Sequence, residues 1–538
     1  MPRTLRTAAL AAALLACARA EAQAPGAGSS PARDSVPTAP AAFRPLVLLG
    51  SVAEDRARTA ALRGGPAPGL LRSASTATPR APGASLRLLA PWMEAGWNKE
   101  IPHSLNDGAL YAGRGGSGRL SAGVEAAAGP LRLVLAPEVV WEQNAQFDSV
   151  LPDAWDAGQR ARFTTPWYIG AHSADLPYRF GDGARTRVLP GESSLTLRLG
   201  AVEAGAATEA EWWGPGIRNA LVLSNNAGGF PHALLRTSRP LRTPLGGLEA
   251  RWIEGRLRSS AWDTASAGRR RSLSAASLVL HPAANLSLGV ARAVYAPADG
   301  GAADGAFGVF SRWAGAGDTA RAHPFDQVST LFGRWILPGD GAEVYGEWGR
   351  HRLPSSPREM LETPEHTQGY TLGFQWARPA LRGVIRLQGE LSDLEKSATY
   401  RAEPTGSWYA GRAVPQGYTH EGQPLGASIG PGASSQWLAV DYMPRTAQFG
   451  VFANRIRWAN DAYYDKPGGH NRYRAHDVNI LGGARAGVAA GPFWAQAEWT
   501  AGRRYNYLFQ NPAGDWPLRH LSTSPFNHSL RLQLSARP

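Results

Sequence analysis

Apolar and polar residues alternate with a period of two over most of the chain from about residue 84 onward. The segments 194–199, SLTLRL, and 529–534, SLRLQL, both place leucine at every second position. A period of two indicates β-strands with one apolar and one polar face. We therefore predict an all-β fold for this part of the chain.

The polar face carries long side chains. In the segment 382–391, Arg386, Gln388 and Glu390 oppose Ile385 and Leu387. Repetition of this asymmetry favours a membrane barrel, with lipid outside and a polar lumen inside. Interleaved Glu and Arg indicate a lumen filled by ion pairs and hydrogen bonds, and an open, water-filled porin is the alternative.

Connection lengths support an outer-membrane barrel, in which short periplasmic turns alternate with longer extracellular loops. Short turns are predicted at 129–130, 245–247, 281–285, 338–341, 378–381, 443–446 and 489–492. Long connections are predicted at 144–192, 296–326, 353–365, 393–432, 459–476 and 504–525. The pattern predicts a transmembrane antiparallel barrel of about 18 strands with both termini periplasmic, and residues 204–230 are the least certain part of the path.

The N-terminal region predicts export. Residues 1–22 read as a signal peptide, with basic residues before a short apolar run, although Cys17 could also be the acylated residue of a lipoprotein signal. Residues 23–45 are rich in Ala, Pro, Gly and Ser and predict a flexible linker. Residues 46–83 predict a periplasmic segment with one helix at 51–62, which either docks under the barrel or has no role, and residues 84–538 form the barrel. Cys17 is the only cysteine, which excludes disulfides and Cys-ligated metals in the mature chain.

Three segments carry motifs that alternation does not explain. The first contains Trp212, Trp213, Gly214, Pro215, Gly216, Asn225 and Asn226; the second contains Asn106, Asp107 and Gly108; the third contains Tyr418, Gly422 and Gly426. In the first, the rigid Gly-Pro-Gly turn suits a sharp bend whose backbone groups need side-chain partners. Together the segments resemble those of the Wzi family, the outer-membrane β-barrel proteins of capsule assembly and attachment.

This resemblance implies an outer-membrane protein that binds capsular or other acidic polysaccharide and helps hold the capsule to the cell. We expect contacts with membrane lipid and lipopolysaccharide, a monomeric state, and no cofactor or metal. The formal net charge is +13, and almost all the basic residues are arginine. Arg suits acidic sugars and lipopolysaccharide because it pairs bidentately with carboxylates and phosphates, although a GC-rich genome would also favour it. A nucleic-acid partner is not expected for an exported barrel without a basic recognition module.

The predicted extracellular loops supply the candidate sugar-binding residues. These are Trp155, Trp167 and Tyr168 in one loop, and Tyr463, Tyr464, Arg472, Tyr473 and Arg474 in another. Aromatic faces stack on pyranose rings, while Arg pairs with sugar carboxylates. The alternative for each aromatic residue is anchoring of a strand end at the membrane interface.

Two other functions fit an outer-membrane barrel. A porin-like barrel for small anionic solutes is the second hypothesis, and an outer-membrane hydrolase is the third. Acidic residues and histidines do cluster in one predicted loop, at Asp461, Asp465, His470, His476 and Asp477. No nucleophile elbow or zinc-type HExxH motif accompanies them, so we predict a protein that is not an enzyme.

Overall fold

A computed structural model gives the architecture of the chain. It describes residues 43–80, 83–147, 167, 174–263, 269–298, 306–312, 325–354, 356–401, 405–411, 413–464, 475–509 and 524–537.

Eighteen antiparallel strands form a closed barrel. The sheet contains 22 segments, but three strands are each split in two, and Phe43–Arg44 pairs in parallel beside the first strand. In chain order the strands are Ser85–Asn98, Gly115–Ala128, Leu131–Leu135 with Glu138–Glu142, Arg185–Leu189 with Ser194–Leu199, Val202–Ala207, His232–Thr237 with Leu241–Thr243, Gly246–Arg258, Arg270–Ala283, Leu286–Pro297, Asp326–Leu337, Ala342–Arg350, Gln368–Ala380, Gly383–Asp393, Ser434–Pro444, Ala447–Arg457, Val478–Ala490, Phe493–Tyr505 and Phe526–Ala536. The last strand pairs with the first and closes the sheet.

The period-two pattern produces the expected two faces. In the strand Ala342–Arg350, Glu343, Tyr345 and Glu347 are buried in the lumen, whereas Val344 is 47% exposed on the outside. The same division holds in Gly383–Asp393, where Arg386 points inward. The predicted barrel, its strand number and its polar interior are confirmed.

Short and long connections alternate as predicted, with one correction. The turns at 338–341, 381–382, 445–446 and 491–492 join adjacent strands at one end of the barrel. The long connection predicted at 144–192 ends earlier in the structure, because the segment Arg185–Leu189 already belongs to the barrel wall. It pairs with Glu138–Glu142, and this long-range pairing was not visible in the local sequence.

The N-terminal helix runs from Val52 to Ala61, and Ser51 caps it by accepting a hydrogen bond from the backbone N of Glu54 at 3.4 Å. It lies inside the barrel at the end where the short turns are. Arg56 donates to the carbonyl oxygen of Ala447 at 2.7 Å, at the start of a wall strand. The expected helix is confirmed, and its contacts with Ala447, Glu343 and Arg386 hold it against the barrel wall at the short-turn end.

Short elements occupy the lumen and the long connections. The other helical segments are Ala74–Ala77, Gly308–Ser311, Pro357–Glu362, Ala398–Arg401, Asn460–Tyr464 and Tyr507–Phe509, and the short strands are Leu71–Ser73, Glu211–Trp213, Thr419–His420 and Gln423–Pro424. None of the helices in the described ranges has the length and apolar character needed to cross a bilayer.

Candidate functional site

Residues 208–231, which include the Trp pair, leave the barrel wall and fold into the lumen. They connect the wall strands Val202–Ala207 and His232–Thr237, which pair with each other. Inside the barrel, Glu211–Trp213 pairs antiparallel with Leu71–Ser73. The uncertain path at 204–230 is therefore one wall strand followed by a lumenal excursion.

The first and second motif segments meet in the lumen. Asn226 bridges between segments: its Oδ1 accepts from the backbone N of Asn106 at 3.2 Å, and its Nδ2 donates to the carbonyl of Pro424 at 3.0 Å. The backbone N of Gly108 donates to the carbonyl of Asn225 at 2.9 Å. We call the residues 208–231, 105–112 and 413–433 the lumenal plug.

The third motif segment packs on the other side of the first. Tyr418 is fully buried and stacks on Tyr409, with ring centroids 5.7 Å apart. The Tyr409 hydroxyl donates to the carbonyl of Leu221 at 2.7 Å. A Cβ on Gly426 would lie 2.5 Å from that same carbonyl oxygen, so only glycine permits this close approach. The motifs thus form one packed body.

Two wall carboxylates hold the Gly-Pro-Gly turn. Glu347 accepts from the backbone N of Gly216 at 3.0 Å and of Leu221 at 2.9 Å. Glu390 accepts from three successive backbone N–H groups, those of residues 217–219, at 2.6 to 3.1 Å. The expectation that this bend needs side-chain partners is met by carboxylates of the wall, because buried N–H groups require acceptors.

Both tryptophans of the pair are buried in the lumen. Trp213 is fully buried and donates from Nε1 to Glu211 Oε2 at 2.9 Å. Trp212 is also buried, and the Arg72 guanidinium lies 5.2 Å from its ring centroid. Neither ring offers a face to a polymer outside the barrel.

Ion pairs lock the N-terminal helix to the wall. Arg58 pairs with Glu343 at 2.7 Å, and Asp55 pairs with Arg386 at 2.6 Å. Arg386 also pairs with Asp441 at 2.8 Å. Burial alone would raise the pKa of Asp55, but the Arg386 guanidinium outweighs it and lowers that pKa. The helix is held as a charged element by ion pairs with two wall strands.

Three of the candidate sugar-binding residues, Trp167, Tyr463 and Tyr464, are described, and they lie among the long connections at the opposite end. Trp167 is 5% exposed and packs in an apolar cluster with Phe509 and the partly buried Tyr463. Tyr464 is 55% exposed, and its ring stands at 86° to that of Tyr463 with centroids 5.1 Å apart. The structure therefore brings Trp167 and Tyr463 together, with Tyr464 beside them. Trp155, Tyr168, Arg472, Tyr473 and Arg474 lie outside the described residues.

The acidic and histidine cluster of this loop has structural partners. His476 Nδ1 lies 2.7 Å from Asn460 Oδ1, and Asp477 pairs with Arg504 at 2.7 Å. Asp461 accepts from the backbone N of Lys396 at 3.0 Å. Within the ranges that the structure describes, no group of three His, Cys, Asp or Glu residues could hold a metal ion. Asp465 and His470 lie outside those ranges.

Comparison with known proteins assigns the family. The family model of the capsule assembly protein Wzi matches residues 91–446, more than half of the chain, and this range contains all three motif segments. The chain belongs to the Wzi family. No curated protein sequence matches it.

One solved structure shows the same fold. The Wzi structure from Escherichia coli, described as an outer-membrane, carbohydrate-binding β-barrel involved in group 1 capsule assembly, is 10% identical, with a TM-score of 0.55 over 82% of this chain and 83% of that one. Two Pseudomonas aeruginosa barrels are less similar: OccK7 is 11% identical over 84% of this chain and 98% of that one, with a TM-score of 0.39, and OprD is 9% identical over 84% and 92%, with a TM-score of 0.38. This Wzi-family chain is an outer-membrane protein.

The sequence did not reveal how the plug of this Wzi-family barrel is held. Alternation correctly placed Glu347 and Glu390 in the lumen, but their partners are 131 and 173 residues away in sequence. The available signal was the Gly-Pro-Gly turn itself. Its backbone N–H groups need hydrogen-bond acceptors, and no side chain nearby in the sequence supplies them.

Proposed function

We propose that this protein binds surface (capsular) polysaccharide at the long-loop end of the barrel and helps attach or assemble it there. Membership of the Wzi family is the observation that carries the proposal. The structurally similar Escherichia coli protein, described as carbohydrate-binding, points in the same direction. The role is one of binding, without catalysis.

Tyr464 is the best-placed aromatic contact for a sugar in the described part of the loops. Its ring is more than half exposed, while Tyr463 and His476 support it from below, with 4.1 Å between the centroids of those two rings. Trp167 belongs to the buried apolar cluster against which Tyr463 packs. A rigid, half-exposed aromatic ring is a surface on which a pyranose can stack with little loss of side-chain entropy.

The filled lumen favours binding over porin-like transport. The plug occupies the interior and is held by buried carboxylates, and ion pairs such as Arg58 with Glu343 tie the helix across the short-turn end. A transport barrel would need these contacts to open. Lipid and lipopolysaccharide would surround the apolar band, and the closed sheet, which leaves no strand edge to pair, supports a monomer.

The direct test is retention of the cell's own polysaccharide by immobilised, purified barrel. Tyr464→Ala should weaken retention by about fivefold, corresponding to roughly 1 kcal/mol for a lost aromatic contact, and Tyr463→Ala should add to this. Tyr505→Ala is the matched control, because Tyr505 is 43% exposed on the outer face of a strand end. Arg472→Ala should make the remaining retention less sensitive to salt.

Heat-modifiable gel mobility checks that each variant is folded. Unchanged retention by the folded Tyr463/Tyr464 double variant would refute a role for this loop and transfer the proposal to Trp155, Trp167 and Tyr168. Equal losses in the Tyr505 control would show a general membrane effect and count against the proposal.

A further inference from the structure

A chamber of about 200 Å³ lies in the lumen beside the plug. It extends from the N-terminal end of the helix Val52–Ala61 along the strands Phe493–Tyr505 and Phe526–Ala536. A smaller space of about 40 Å³ adjoins it towards the long loops, and Arg218 and Glu498 border both spaces. Pockets for drug-sized ligands measure roughly 300–1,000 Å³, so this chamber suits a single ring-sized ligand.

Most charges around the chamber are already paired. Arg485 pairs with Asp441 at 2.7 Å, and Arg531 pairs with Glu94 at 3.1 Å. Arg218 differs, because its guanidinium makes no hydrogen bond or ion pair within the described ranges and lies 5.5 Å from the ring centroid of Trp437. It is a cation beside an aromatic ring that Glu498 and Glu390 attract, but its guanidinium N–H groups form no hydrogen bond in the described part of the chain and can pair with an anion.

The chamber also contains hydrogen-bonding groups without partners in the described part of the chain. Trp212 Nε1 and Trp494 Nε1 are donors on buried rings, and Gln448 Oε1 is an acceptor on a buried amide. All three residues line the chamber. The Glu498 carboxylate also lines it, makes no hydrogen bond among the described residues, and attracts the Arg218 guanidinium. Because buried polar groups are nearly always satisfied, unpaired donors and acceptors around one space indicate a polar ligand.

We propose that this chamber is a binding site for one sugar-acid unit of the uronic-acid class. The ligand's carboxylate pairs bidentately with Arg218. Its hydroxyls accept hydrogen bonds from Trp212 and Trp494 and donate to Glu498 and Gln448, while its ring packs against the indoles. A simple carboxylate would leave the indole donors unpaired, and a neutral sugar would leave Arg218 unpaired. The site lies within the lumen, apart from the long-loop surface, and does not depend on binding there.

The test measures binding of sodium D-glucuronate to the purified, detergent-solubilised protein by calorimetry, with D-glucose and sodium acetate as comparison probes. The folded protein should bind glucuronate saturably and more tightly than either comparison probe. Arg218→Gln should weaken glucuronate binding by about tenfold or more, since it removes a charge-assisted hydrogen-bond pair. Arg242→Gln is the matched control, because Arg242 is exposed away from the chamber.

A second variant keeps the proposal open to refutation if Arg218→Gln fails to fold. Trp494→Phe removes one indole donor and should weaken glucuronate binding by about fivefold. The proposal is overturned if the folded protein shows no saturable glucuronate binding, if both chamber variants bind like the Arg242→Gln control, or if glucose or acetate binds as tightly.

Competition identifies the source of the sugar acid. If the cell's own polysaccharide displaces glucuronate, the chamber takes the end of a polymer chain; if it does not, the ligand is a free sugar acid. The folded Tyr463→Ala/Tyr464→Ala variant should bind glucuronate as the unchanged protein does, so a failure here is distinguishable from a failure of the proposed function.

Discussion

Replacing Glu390 by alanine should release the Gly-Pro-Gly turn of the plug while leaving the barrel wall intact. The carboxylate accepts hydrogen bonds from the backbone N of Ile217 at 2.6 Å, of Arg218 at 3.0 Å and of Asn219 at 2.8 Å. It also accepts from the Tyr345 hydroxyl at 2.9 Å. Without it, three backbone donors, one buried and two partly buried, lose their acceptor at once.

The magnitude follows from the penalty for buried, unsatisfied donors. Each costs about 1–3 kcal/mol, so three would cost roughly 3–9 kcal/mol if the lumen stayed dry. Water entering from the neighbouring chamber would offset part of this penalty. We expect about 3 kcal/mol of local destabilisation, the lower end of this range, because Glu347 still holds Gly216 and Leu221.

Amide hydrogen exchange is the assay. The amides of residues 216–219 should exchange at least about 100-fold faster in Glu390→Ala, and the Glu347→Ala/Glu390→Ala double variant should also conduct ions in planar bilayers. Glu498→Ala is the matched control, since Glu498 is a lumen-facing wall glutamate that makes no hydrogen bond to the turn within the described residues. Unchanged exchange at 216–219 in folded Glu390→Ala would refute the clamp, as would an equal effect of Glu498→Ala.

Three further predictions concern the plug and the topology. Gly214→Ala should destabilise the plug by more than about 2 kcal/mol, because Gly214 has φ +116° and an added Cβ would lie 2.3 Å from Glu347 Oε1; unchanged amide exchange of the plug would contradict this. Burial lowers the pKa of His420 from 6.5 to about 3, so its contribution to stability is lost as pH falls below 6.5, by roughly 2 kcal/mol at pH 5, and His420→Asn should show a smaller acid loss in denaturant unfolding. If the short-turn end is periplasmic, an impermeant thiol label on intact cells should miss Ala60→Cys and reach Leu361→Cys, whose native side chain is 84% exposed in a long connection; labelling of Ala60→Cys alone would invert the topology.

Local patterns were sufficient to predict the barrel wall. Alternation identifies strands because it records which side chains face lipid, and turn residues such as Pro338 and Gly341 mark the short connections directly in the sequence. The count of eighteen strands followed from these two local signals. The helix at 51–62 was equally local, since Ser51 and the glycines after it define both ends.

Contacts between distant segments could not be predicted in this way. The lumenal position of Trp212 depends on pairing with residues 71–73, and the fourth wall strand begins early because it pairs with 138–142. The three motif segments lie in the plug, but motif recognition did not give their arrangement. At the candidate sugar site, sequence placed Trp167 and Tyr464 alike in loops, but only packing distinguishes the buried ring from the exposed one.

The central proposal is attachment of polysaccharide at the cell surface, and gene deletion with complementation tests it most directly. Cell-attached and shed polysaccharide are measured separately in the deletion strain, with the wild-type gene restored, and with the folded Tyr463→Ala/Tyr464→Ala variant. We expect total polysaccharide to be unchanged in the deletion strain, the attached fraction to fall, and only the wild-type gene to restore it fully. An unchanged attached fraction in the deletion strain would contradict the proposed function.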